Sequence, residues 1–122
     1  MKRLFSALAV WLALGCSSPT GPAELPLRVT TTDAAVQLEN VSKRPIFYFL
    51  YEREAAALIN WAACVEPACP SLAPGARTAI PYPAIGGYAP GKGEAIVWWW
   101  VAIPGAAGGR GAGPVHAVII RL

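Results

Sequence analysis

Few residues in this chain of 122 could carry out chemistry. His116 is its one histidine and Asp33 its one aspartate. A Ser–His–Asp relay would have to join His116 to Ser42 or Ser71 and to Asp33 or a glutamate. Neither serine lies in the Gly-x-Ser-x-Gly elbow that such chemistry often uses. His116 also shares strand parity with Val118, Ile120 and Leu122, which suits a strand residue better than a base. Glu52 and Glu54 would share a face if one strand ran through both. The paired carboxyls of a glycoside hydrolase stand about 5–10 Å apart across a cleft. At a strand end and interleaved with Arg53, these two read instead as a solvated rim. Cys64, Cys69 and His116 fall short of a zinc site built on a recognisable spacing. "PGKGE" (90–94) lacks the Gly-Lys-Ser/Thr ending of a phosphate loop. The expectation is a non-enzymatic protein with no catalytic residue, metal or cofactor. A secreted hydrolase using His116 is the remote alternative.

The elements around these residues are short. "LRVTTT" (27–32), "AAVQLENV" (34–41), "PIFYFLYER" (45–53), "ALINWAACV" (57–65), "RTAIPYPAI" (77–85), "EAIVWWWVAI" (94–103) and "VHAVIIRL" (115–122) are apolar or alternating runs. Proline and glycine separate them, as in a succession of strands. Val36 and Leu38 face opposite to Gln37 and Glu39, whereas the 45–53 and 94–103 runs are apolar on both faces, as central strands are. Pro81 and Pro83 assign 77–85 to an edge or a bulge. "REAAALINWAA" (53–63) could be a helix by propensity; Ile59, Trp61 and the cysteine turn favour a strand. About seven strands in fewer than a hundred residues predict an all-β, antiparallel β-sandwich over 27–122.

The first fifteen residues have another character. Lys2 and Arg3 precede an apolar run to Leu14, and Gly15 precedes Cys16. That order is the pattern of a helical secretory signal peptide, 1–15, with small Ala13 and Gly15 before the cut. The apolar run is shorter than the roughly 20 residues of a membrane span. Residues 16–26, rich in serine and proline, read as a disordered, flexible tether. With Lys2 and Arg3 removed, eight Lys+Arg face seven Asp+Glu, a balance of +1. The basic residues form no stripe that would neutralise phosphates, so nucleic acid is not an expected partner.

"LALGC" (12–16) resembles the lipobox of bacterial lipoproteins, with Ala13 where that family favours leucine. The resemblance implies that Cys16 becomes the acylated N-terminus and fastens the chain to a membrane at the cell envelope. Ordinary secretion is the alternative. In the sorting pattern of Gram-negative lipoproteins, Ser17 after the cysteine implies the outer membrane. Lipidation of Cys16 would also settle the odd cysteine count, leaving Cys64 and Cys69 of "CVEPAC" to form a disulfide in an oxidising compartment.

"VQLENVSKRPIFYF" resembles the second-to-third strand segment of immunoglobulin-like and fibronectin-type domains, and "LAPGARTAI" a Pro-Gly turn into a later strand of exported modules of that kind. The resemblance implies that the 45–53 and 94–103 strands are neighbours in one sheet. Trp98 and Trp100 would face one way and Trp99 the other. An outward aromatic face, with Trp98, Trp100 and Tyr48 as candidates, would bind an envelope protein, a peptide or a glycan. Alternatively a loop, the 57–65 segment or the tether covers it. The expected role is structural or protein-interacting, with ligand binding on that face as the alternative.

Overall fold

The computed structural model describes residues 25–122. The expected signal peptide (1–15), Cys16 and the part of the expected tether up to Glu24 lie outside the described residues.

Nine strands, one helical turn and a short 3-10 turn make the described residues mostly β. β1 (Leu27–Thr31), β2 (Ala35–Asn40) and β5 (Arg77–Pro81) form an antiparallel sheet in the order β1-β2-β5. β4 (Ser71–Leu72), β3 (Ile46–Glu52), β6 (Glu94–Trp100) and β9 (His116–Arg121) form a second, in the order β4-β3-β6-β9. β7 (Ala102–Pro104) and β8 (Arg110–Ala112) pair as a separate hairpin. The neighbouring of the 45–53 and 94–103 runs is observed as far as Trp100, with Tyr48 paired to Trp99 and Leu50 to Val97. Beyond it the expected single strand breaks, and Ala102–Pro104 pairs with β8 instead.

The period-2 alternation of side chains decides which residues enter the core. Leu27, Val36 and Leu38 come from the first sheet; Ile46, Leu50, Leu72, Ala95, Val97 and Trp99 come from the second; all join one buried cluster. Each buried leucine or isoleucine contributes about 1.5–3 kcal/mol relative to exposure. The outer face of the first sheet is polar, with Arg28, Glu39 and Arg77 linked by ion pairs. β5 is an edge strand whose last residue is Pro81, where a missing N–H leaves no ladder bond unmade.

Two Pro-Gly turns reverse the chain. Ala76 N–H donates to Ala73 O across Pro74-Gly75, and Lys92 N–H to Ala89 O across Pro90-Gly91. Gly75 at φ 78° and Gly91 at φ 90° hold the left-handed position that a type II turn requires.

Two expectations are corrected. Residues 57–65 are not a strand; the seventh place in the two sheets belongs to Ser71–Leu72. Nor is Glu52 part of a solvated rim, for it is 2% exposed. β3 ends at Glu52, and the chain turns into α1 (Arg53–Ala56), so Glu54 does not continue the strand. The Glu52 carboxylate accepts hydrogen bonds from the backbone N–H of Glu54 (3.0 Å) and of Ala55 (2.9 Å). It satisfies two donors that the start of any helix leaves unpaired.

Candidate functional site

Register places three aromatic rows on the outer face of the four-stranded sheet: Phe47 beside Trp100, Phe49 beside Trp98, and Tyr51 beside Ile96. A bare face of this kind would be a large apolar patch, which monomers rarely expose. The segment from α1 to β4 lies over it. The ring centroid of Trp61 is 5.0 Å from that of Phe49, 4.9 Å from Trp98 and 5.7 Å from Trp100. Trp100 donates its indole N–H to Cys64 O at 3.0 Å. Phe47 and Trp100 are left 5% and 2% exposed. Cys64 and Cys69 are joined by a disulfide, closing the loop that begins at the Cys64 carbonyl contact, three residues after Trp61.

Of the aromatic residues singled out in the sequence, Trp98 and Trp100 do lie side by side, beneath Trp61. Tyr48 does not join them. Its register partner is Trp99, so it points to the opposite face and packs against the core, where burial pushes its hydroxyl pKa up.

At the end of this covered face, the β7–β8 hairpin stands against the start of β3, and a cleft of about 420 Å³ opens between them. Pro45, Phe47, Ile103 and Pro104 give it an apolar floor and wall, and Arg44 and Arg110 flank it. Each guanidinium is held by one backbone carbonyl. Arg44 donates to Ala102 O at 2.8 Å, and Arg110 to Val65 O at 2.7 Å. The Arg110 guanidinium carbon also stands 6.0 Å from the centroid of the Phe47 ring. Among the described residues neither arginine has a carboxylate partner; the ion pairs join Arg28 and Arg77 to Glu39, Arg53 to Glu94, and Lys92 to Glu54.

Arg44 is also placed from behind. Asn40, fully buried, donates through its amide to Arg44 O at 2.7 Å and to Leu72 O at 2.9 Å. Its side-chain oxygen accepts from the Ser42 N–H at 2.9 Å and hydroxyl at 2.7 Å. The turn before β3 is therefore fixed on both sides of the arginine.

The other candidates for chemistry serve the fold. The His116 ring stacks on Trp99 with centroids 4.2 Å apart. No hydrogen bond joins it to Asp33, Ser42 or Ser71, and the Ser42 hydroxyl is engaged by Asn40 and Arg44. No group of three metal-ligating side chains occurs among the described residues. Glu54, on α1, pairs with Lys92 at 2.5 Å, which holds its carboxyl below the usual glutamate range. No protein family, curated protein or solved structure matches this chain.

Arg44 and Arg110 are the functional candidates that the sequence did not single out. One lies in the dipeptide Lys43-Arg44, the other in the glycine-rich stretch 105–113. Only the extended flanks of that stretch, "VAIP" (101–104) and "RGAGPV" (110–115), hint that it closes a hairpin.

Proposed function

We propose that this chain is an exported, lipid-anchored protein of the bacterial cell envelope. Its domain would be a non-enzymatic interaction module of the immunoglobulin-like or fibronectin-like sandwich type. The observation that carries the reading is the Cys64–Cys69 disulfide. It pairs two of the three cysteines and leaves Cys16 as the remaining one, at the position where the lipobox-like "LALGC" requires an acyl acceptor. An intramolecular disulfide also suits an oxidising compartment. The arrangement of three strands facing four across one core supports the sandwich type. The engagement of His116, Glu52 and Ser42 within the fold supports a binding role over catalysis.

Growing the bacterial host with radioactive fatty acid tests the anchor directly. Label should enter the wild-type chain and be absent from Cys16→Ser. Equal labelling of the two would refute acylation at Cys16, and labelling of neither would refute the lipid anchor.

Binding on the aromatic face is the second reading. Trp98 keeps some exposure beside Trp61, and quenching of tryptophan fluorescence by added glycans is its test.

A further inference from the structure

We propose that the cleft between Arg44 and Arg110 binds the C-terminal carboxylate of a peptide whose last side chain is apolar. This does not depend on the lipid anchor. Charge is the first argument. Two guanidinium groups flank one apolar cleft, and among the described residues no carboxylate pairs with either. Guanidinium groups match carboxylates in a planar, two-bond geometry, and such charge-assisted bonds are about twice as strong as neutral ones.

Preorganisation is the second argument. Arg44 is fixed through Ala102 O, with its own backbone carbonyl held by Asn40. Arg110 is fixed through Val65 O and lies close to the Phe47 ring. One carbonyl bond on each fork leaves the remaining N–H groups free to donate. Side chains already held in place lose less freedom when a ligand arrives.

Shape and polarity supply the third. Arginine side chains only donate, so the ligand must bring acceptors. Pro45, Phe47, Ile103 and Pro104 require an apolar body beside those acceptors. Ile103, 38% exposed, is an apolar residue left uncovered at this rim. Inorganic phosphate would leave the apolar wall unused, and a neutral sugar would leave both charges unpaired. A chain terminus brings the charge and the apolar side chain together, and the open cleft lets the rest of the peptide leave. About 420 Å³ lies within the range of small-ligand sites, roughly 300–1,000 Å³.

Fluorescence anisotropy of fluorescein-Gly-Ala-Phe, added to the full-length protein, tests the proposal. The free acid should bind, and its C-terminal amide should bind at least about tenfold more weakly, the loss of one charge-assisted contact. Arg44→Gln and Arg110→Gln should each weaken the acid by a similar factor, while Arg77→Gln, on the far sheet, leaves it unchanged. Arg110→Lys keeps the charge and should recover part of the loss, which separates charge from any disturbance of the Val65 contact. Equal binding of acid and amide would overturn the site, as would full affinity in both glutamine variants. Competition by 3-phenylpropionate as effective as that of unlabelled peptide acid would overturn the peptide assignment in favour of a small carboxylic acid. Equal competition by inorganic phosphate would overturn the carboxylate assignment.

Discussion

The two sheets present opposite solutions to the same problem, a second face that the shared core does not cover. The smaller sheet turns Arg28, Thr30, Gln37, Glu39 and Arg77 outward and meets water directly. The larger turns out Phe47, Phe49, Tyr51, Trp98 and Trp100, and recruits Trp61 over Phe49, Trp98 and Trp100, with Gly86 and Gly87 against Tyr51. A polar outer face needs no partner but makes only weak surface pairs. An aromatic one requires a cover, and the cover's margin is where a cleft forms. In this domain the candidate site is a by-product of roofing an apolar sheet.

Removing the centre of the roof should produce the largest effect. Trp61→Ala is expected to destabilise the domain by about 2–3 kcal/mol, below the roughly 3–5 kcal/mol for loss of a buried large aromatic because Trp61 is only partly buried. It should also raise binding of a hydrophobic dye, read beside a urea melt. A loss below about 0.5 kcal/mol with no gain in dye binding, as for an ordinary surface substitution, would mean that the roof is ornamental and the two faces are not so different.

The disulfide comes next. Cys64→Ser with Cys69→Ser should cost about 2 kcal/mol by loop-closure entropy. It should also loosen the Trp100–Cys64 and Arg110–Val65 contacts more than the core. Faster amide exchange over 61–70, with β2 unchanged, is the expected signature.

On the polar sheet, Glu39→Ala removes both partners' ion pairs at once, yet should change stability by less than about 0.5 kcal/mol, because the pairs are exposed. A larger loss would erase the contrast between the faces.

The smallest effect belongs to the Glu54–Lys92 pair at the surface, where the Glu54 carboxyl is largely exposed. The hydrogen bond and charge of Lys92 lower the Glu54 pKa, and those of Glu54 raise that of Lys92. The glutamate's contribution is present above its unfolded-state pKa and fades as pH falls through its folded value. That of the lysine is present below its unfolded-state pKa and fades as pH rises through its folded value. Lys92→Ala should raise the Glu54 pKa in an NMR titration and leave the thermal midpoint unmoved.

Periodicity made most strands readable. Val36 and Leu38 against Gln37 and Glu39 announce a strand with one wet face, and the core takes that pair. Apolar residues on both faces of 45–53 and 94–103 announce strands covered on both sides, and these are the central pair. Pro81, whose missing N–H suits only an edge or a bulge, stands at the end of an edge strand. What covers the second face was readable only as one alternative among three, the 57–65 segment beside another loop or the tether. It is Trp61 and Cys64 of that segment that lie against it. The roof has no period: Trp61 is held by matching three rings brought together by two strands far from it in sequence. Ala-rich 54–57 supports one helical turn and no more. Arg44 and Arg110 likewise meet only once the hairpin folds back, and Glu52 becomes a cap only once the strand is seen to end there.

Asn40 gives the register of this fold a safeguard. Its amide stands where two carbonyls, of Arg44 and Leu72, need donors, and its oxygen where Ser42 needs an acceptor. A one-residue slip of β2 would bring Glu39 or Val41 to that place. The carboxylate would set acceptor against acceptor, and the valine would leave both carbonyls dry and unbonded. A β2 strand out of step is therefore penalised at a single buried point, before any apolar side chain is counted.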